Sequence, residues 1–358
     1  MRCTAGILPA LKTPKKQAGR LRYLCCSTPC TQMSSAPVWL LPLILYGVPA
    51  RLRIHFLPMQ EPQFQCVTII GVGLLGASLG LAIKRHGLAV RVNGVGRVAS
   101  PSNQKALEIG AIDQAFTDPA TAVPESDLVI LASNVGQFPA LMAAIAPVLS
   151  PGTLVTDVGS TKQQVMKWAG KLLPATVDFI GSHPMAGSEK RGPENARANL
   201  YQEALCLICP PKLRGRGAFT GNRVAAATKK IEQFWQSMAM RTHQLDAQQH
   251  DQWVALISHI PHAAACITAV VAGRNEEAGR AIAGGFVDTT RVASGDPAMW
   301  TDIFLTNRVE INRNLNVAIQ SLRKLQGAIR REDQQAVLEF LQLAKQRHES
   351  LLSRRDAR

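Results

Sequence analysis

Residues 66–87, CVTIIGVGLLGASLGLAIKRHG, constrain the fold more than any other stretch of the chain. A β-branched run from Val67 to Ile70 leads straight into Gly71, Gly73 and Gly76, and an apolar helical pattern then continues to Gly87. Strand, glycine turn and helix in that order are what a phosphate-binding βα unit requires. Gly71 turns the chain, Gly73 lets backbone approach a pyrophosphate, and Gly76 lets the helix lie close on the strand. The N–H groups at the helix start, at Leu74 and Leu75, then face the anion. Three glycines alone are a weak signal; with the strand before and the helix after, they read as a dinucleotide site.

The next strand, AVRVNGVGR (89–97), would end in an acid if it held an unphosphorylated ribose. Instead Gly96 is followed by Arg97, with Ser100 and Ser102 close behind, a set suited to a 2′-phosphate. NADP is therefore the expected cofactor, and NAD stays open if Arg97 is a solvated loop residue. SDLVILASNV (126–135) and GTLVTDVGSTK (152–162) are further apolar strands followed by helical patterns, so this half reads as a doubly wound parallel sheet. Ligands in such sheets sit at the carboxyl ends of the strands. Ser133 and Asn134, then Asp157, Ser160 and Lys162, then His183 after TVDFIGSHP, are thus expected to share one crevice. A histidine beside a nicotinamide can accept a hydroxyl proton while hydride leaves the adjacent carbon.

TIIGVGLLGASLG, VTDVGSTK, GSHPMAGSEKRG, SHIPHA and FVDTTRVASGDPAMWTDI follow one another in this order between about residues 66 and 330. In these motifs the chain resembles the prephenate/arogenate dehydrogenase family of tyrosine biosynthesis. The resemblance implies oxidative decarboxylation of a cyclohexadienol, with hydride passing to NAD(P). It implies that His183 binds and deprotonates the ring hydroxyl and that Ser160 links hydroxyl, histidine and cofactor. It also implies that Arg291 grips the ring carboxylate and that His262 lies near the side-chain carboxylate. His250 would serve as a gate at the pocket rim, and Glu189 and Lys190 would form an ion pair at the entrance. Trp300 reads as pocket wall or as core. Arginine suits the carboxylate role because its planar fork can hold both oxygens at once.

From about Leu213 strand signals cease and helical periodicity takes over; Leu315, Ile319, Leu322 and Ile329 fall near one face, as do Val337, Leu341 and Ala344. The expected fold is an α/β Rossmann-like dinucleotide-binding domain (64–212) followed by an all-α domain (213–330) and a charged C-terminal helix and tail (331–358). By resemblance the helical domain is the dimerisation domain, so a homodimer is expected. His259 and His262 stand one turn apart, but no carboxylate or thiol cluster accompanies them, and Pro261 reads as the first turn of a helix rather than part of a metal site. CLIC (206–209) has redox-motif spacing, yet it lies in an apolar run stopped by two prolines and reads as a buried strand.

With 358 residues, 46% of them apolar, the chain can bury a large core and form two domains. Its net charge of +15 is uneven: residues 1–60 hold eight of the 40 Lys and Arg and no Asp or Glu, leaving +7 on the rest. That excess fits anionic small molecules, and no motif supports a nucleic-acid partner. The apolar run VWLLPLILYGV (38–48) is too short for a membrane span and is broken by Pro42. Residues 1–60 are read as an extension outside the fold, either sequence upstream of a start at Met59, giving a cytoplasmic enzyme, or a transit-like leader directing it to a plastid. Two other classes stay open: a different two-domain dehydrogenase acting on a β-hydroxy acid or an imine, and a non-catalytic NADP-binding regulator.

Overall fold

The computed structural model describes residues 61–98, 100–187, 190–212 and 221–356. Among them eight strands form one sheet: β1 (Phe64–Ile70), β2 (Ala89–Val95), β3 (Gln114–Phe116), β4 (Leu128–Leu131), β5 (Leu154–Asp157), β6 (Asp178–Pro184), β7 (Leu205–Cys209) and β8 (Arg241–Gln244). Their order across the sheet is 3-2-1-4-5-6-7-8. Between β1 and β4 the chain switches from building one side of the sheet to building the other, and this is where such sheets open a crevice. Both strands are parallel, in the register Ile70 to Leu131.

The strands are apolar on both faces because both are covered. Val67 and Ile69 of β1, with Leu128 and Ile130 of β4, pack on one side against Ala77, Leu79 and Ile83 of α1 (Leu74–Arg85). Ile70, Val129 and Leu131 point the other way, against Phe138, Met142 and Ile145 of α4 (Phe138–Ile145) and Val165 of α5 (Gln163–Leu172). Alternation along the strand thus feeds two separate cores. The short α2 (Ser102–Glu108) and α3 (Pro119–Ala122) complete the first half of the sheet.

Two expectations are corrected here. The sheet is not wholly parallel, since β7 runs antiparallel to β6, with His183 opposite Leu207. Nor do strands end before residue 213. Helix α6 (Gly221–Ser237) buries Ile231, Phe234 and Trp235 completely in the core under β1, and β8 then pairs in parallel with β7. Phe234 packs edge-on against Phe64, and the Trp235 indole N–H donates to the Ser182 hydroxyl at 3.1 Å. Burying aromatics of this size stabilises by on the order of 3 kcal/mol each, so α6 is integral to the sheet. The helical part begins only after β8.

That part starts with α7 (Ala247–Val254) and α8 (Ile260–Ala272), joined by a π-turn at Ala255–His259. Asp246 and Gln249 cap its start reciprocally, and Pro261 stands in the first turn of α8, as the sequence predicts. Next come α9 (Gly284–Thr290), a 3₁₀ turn at Arg291–Ser294, and α10 (Pro297–Thr306). The long α11 (Arg308–Arg330) and α12 (Gln334–Asp356) end the described chain. Asp296 caps α10 through the backbone N–H groups of Ala298 and Met299. The CLIC run is the buried strand β7; Cys206 and Cys209 are both inaccessible, and burial pushes the Cys209 thiol up to about 12.

Candidate active site

A cleft of about 540 Å³ opens at the carboxyl ends of β1, β4 and β5 and is closed from the other side by the 3₁₀ turn and α10. Its walls include Gly73, Leu74 and Leu75 from the start of α1, Ser133 and Asn134 after β4, and Ser160 after β5. Lys190 from the loop after β6, and Arg291 and Trp300 from the helical part, complete the predicted set found there.

The glycine turn has the geometry that a dinucleotide needs. Gly71 adopts φ +110°, and a Cβ there would come within 2.7 Å of the Ala132 and Ser133 backbone. A Cβ on Gly76 would overlap the Gly71 carbonyl, so this residue acts by letting α1 close on the turn. Gly73 differs: a Cβ there would meet no atom within 4 Å, so open space lies over the turn. Gly73 is also the N-cap of α1, with no side chain capping the helix and no acid in its first turn. Helix N–H groups and open space together fit a pyrophosphate. Arg97 is exposed beyond the end of β2, outside the cleft walls, and Ser100 and Ser102 are hydrogen-bonded to each other at 2.9 Å.

Asp157 does not reach the cleft, contrary to expectation, and neither does Lys162. Both side chains are fully buried and paired at 2.7 Å. Asp157 also accepts from the backbone N–H groups of Gly159 (2.9 Å) and Ser182 (3.0 Å). The Lys162 ammonium donates in addition to the carbonyls of Gly159 (2.6 Å) and Thr161 (3.2 Å). The pair therefore clamps the turn that carries Ser160. Burial pushes the Asp157 carboxyl upward, against the pull of Lys162.

His183 is the last residue but one of β6 and is 8% exposed. Its Nδ1 lies 2.9 Å from Nε2 of His250 and hydrogen-bonds there. Nδ1 of His250 is in turn 2.8 Å from Oδ1 of Asp251. A gating role for His250 at the rim is thereby corrected: His250 is wholly buried, because α7 packs it behind His183. Burial pushes both histidines well below the usual imidazole range, and the Lys162 charge adds to this. Sequence reasoning missed Asp251; an acid beside His250 at the start of an apolar helix was the available signal.

His259 sits in the π-turn, where Asn307 bonds its Nδ1 at 3.2 Å; burial lowers its pKa to about 4. His262 stacks on Trp300, ring centroids 3.4 Å apart and planes at 10°. Its Nδ1 is buried with no hydrogen-bond partner. Arg191, which also lines the cleft, pairs with Asp296 across it at 2.9 Å. Glu189 lies outside the described residues.

Comparison with known proteins matches this architecture part by part. The family model for the prephenate dehydrogenase nucleotide-binding domain matches residues 79–231, and that for the prephenate dehydrogenase dimerization domain matches residues 246–343. The chain is 31% identical over 290 residues to a prephenate dehydrogenase of Bacillus subtilis, covering 80% of this chain and 76% of that one. It is 32% identical over 301 residues to a cyclohexadienyl dehydrogenase of Zymomonas mobilis, covering 82% and 99%. A crystal structure of prephenate dehydrogenase from A. aeolicus in complex with hydroxyphenyl propionate and NAD+ shares the fold with a TM-score of 0.72 at 29% identity, over 80% of this chain and 98% of that one. With its glycine turn, its cleft and its two matching domains, the chain belongs to the prephenate dehydrogenase family and is an NAD(P)-dependent dehydrogenase.

Proposed function

We propose that the protein catalyses the oxidative decarboxylation of prephenate or arogenate, with NADP as its preferred hydride acceptor and as a homodimer. The observation that carries this reading is one cleft that joins an open helix N-terminus for a pyrophosphate to an arginine from the helical part, with a buried histidine near the end of β6 in the same sheet. The N–H groups of Leu74 and Leu75 would hold the pyrophosphate, and Ser133 and Asn134 the neighbouring parts of the dinucleotide. When bound, the nicotinamide supplies the hydride acceptor.

His183 takes the proton of the ring hydroxyl as hydride leaves the same carbon. Arg291 holds the ring carboxylate until its bond to the ring breaks and carbon dioxide departs. The electrons of that bond aromatise the ring, and the phenolic oxygen recovers the proton from His183. Ser160, fixed by the Lys162 clamp, orients the hydroxyl. His262 offers its unpartnered Nδ1 to the substrate side chain, with Trp300 stacked behind it. Lys190, and Glu189 by resemblance, guard the entrance.

Steady-state assays with prephenate and arogenate, each with NAD and NADP, test the reading; no turnover with any pair overturns it. In the same assays Arg97→Ala is expected to weaken NADP about 10- to 100-fold and leave NAD unchanged, since a charge-assisted contact is lost to the 2′-phosphate alone. Equal losses for both cofactors overturn the NADP preference.

The homodimer is supported by apolar side chains that the single chain leaves in water: Ile267, Val270 and Val271 on α8, Val317, Leu322 and Ile329 on α11, and Leu338 and Leu341 on α12. A second copy of this chain covers such faces at large apolar cost to separation. Light scattering should give twice the chain mass at micromolar concentration; a monomer there would refute the dimer.

A further inference from the structure

The buried groups behind His183 have no part in the chemistry written above. We infer that Asp251, acting through His250, is a positioning residue that fixes the proton of His183 on Nδ1 and so leaves the Nε2 lone pair for the substrate hydroxyl. This rests on the proposal that His183 is the base.

The direction of the hydrogen bonds is set at one end of the chain. Oδ1 of Asp251 accepts the backbone N–H of Lys162 at 2.7 Å, and Oδ2 accepts that of Gln163 at 2.9 Å. Backbone N–H groups only donate; burial pushes the Asp251 carboxyl up, but these two N–H groups and the Lys162 charge favour its ionised form, and a carboxylate only accepts. Nδ1 of His250, 2.8 Å from the same Oδ1, must therefore carry its hydrogen. A neutral imidazole has one N–H, so Nε2 of His250 is a lone pair. It lies 2.9 Å from Nδ1 of His183, which must donate to it. Nε2 of His183 is what remains, and it is a lone pair. Running the chain in reverse would put the hydrogen on Nε2 of His183, leaving no base.

The surroundings allow no substitute for this arrangement. His250 and Asp251 are 0% exposed, so both are shielded from bulk water. Among the described residues, the titratable groups around His183 are Lys162, His250 and Asp251 on α7, His259 in the π-turn, Asp157 on β5, and Cys206 and Cys209 on β7. Burial first, then His250, Lys162 and His259, oppose a positive charge on His183. Asp157 is committed to Lys162. Asp251 is the carboxylate joined to His183 by hydrogen bonds, so the imidazolium formed during turnover leans on it through His250. The same carboxylate holds the N–H groups of Lys162 and Gln163, two and three residues after Ser160. One side chain thus sets both the base and the turn bearing the serine.

The test has two independent readouts on the full-length chain. Two-bond nitrogen–proton correlation on histidine-labelled protein reads the tautomers directly, with His183→Asn and His250→Gln assigning the signals. Above the neutral range, neutral His183 and His250 should both carry hydrogen on Nδ1; a hydrogen on Nε2 of His183 overturns the inference. In kinetics, Asp251→Asn should lower kcat about 100-fold or more and change KM for substrate and Kd for NADP less than about threefold. Its acidic limb should also move to lower pH, because the imidazolium loses its counter-charge. His250→Gln keeps an acceptor for His183 and a donor for Asp251, and should lose less than about tenfold, whereas His250→Leu should lose as much as Asp251→Asn. A purely structural Asp251 would lower the melting temperature and leave the limb in place. Near-normal kcat in Asp251→Asn and His250→Leu, with His183→Asn inactive, refutes this inference and leaves the base assignment standing. An active His183→Asn refutes both. If Asp251→Asn does not fold, the tautomers and the two His250 variants decide.

Discussion

His183→Asn should lower kcat by about 10²- to 10⁴-fold while KM for substrate and Kd for NADP stay within about threefold. Asparagine fills a similar space, and its amide can still donate to Nε2 of His250, so the buried chain stays satisfied. What is lost is the lone pair that takes the ring-hydroxyl proton, an interaction made only as the reaction proceeds. The pH profile should change with it. Burial first, and then the nearby positive groups, hold the His183 pKa well below the usual range. Above that pKa the imidazole is neutral and competent, so wild-type activity falls only as pH drops through it, on the acid side of the ordinary histidine range. In the variant that limb should vanish. Steady-state kinetics across pH checks both points, and near-normal kcat would remove His183 from the mechanism.

Arg291→Ala should raise KM for substrate about 100-fold, equivalent to roughly 3 kcal/mol, and leave Kd for NADP and the melting temperature near wild type. Arg291 is exposed on its 3₁₀ turn and faces the cleft, so its removal empties no core. The fall in kcat should be smaller. A carboxylate that departs as neutral carbon dioxide gives up its charge as the bond breaks, so a grip firmer on substrate than on transition state does not speed that step. A structural arginine, paired with Asp288 or Asp296, would instead lower stability and all activities together. Kinetics, cofactor titration and thermal unfolding on one variant separate the two roles; unchanged KM with a large stability loss overturns the carboxylate role.

What the sequence made legible is local. The glycine turn, the strand ends at Ser133 and Ser160 and the Pro261 helix start each depend on residues adjacent in the chain, and a pattern of neighbours carries them. Contacts across the fold are a different matter. His183 and His250 are 67 positions apart, and nothing near either announces the other. Asp157 looks like a ligand-facing acid because it ends a strand, yet Lys162, five residues on, folds back and captures it beneath the floor. Strand β8, RTHQ, was invisible for a physical reason: it is a largely exposed edge strand with no apolar side chain, so no alternation marks it. Helix α6 showed its period but not its destination, since an apolar stripe does not say which core it enters.

The continuous rod from Ala247 to Ala272 has two unlike sides. His250, His259 and His262 are buried on one, while Leu256, Ile257, Ile267, Val270 and Val271 stand exposed around the rest, with the π-turn inserted midway. If a second copy seats on the outer side as proposed, His250, which holds the catalytic His183 by a hydrogen bond, is mounted on the same beam as the subunit contact. Tilting that beam by the small amount an interface readily absorbs would move His250, and with it His183, in both protomers together. Assembly would then be a condition of full turnover, and dilution below the dissociation constant of the pair would silence the sites without unfolding them.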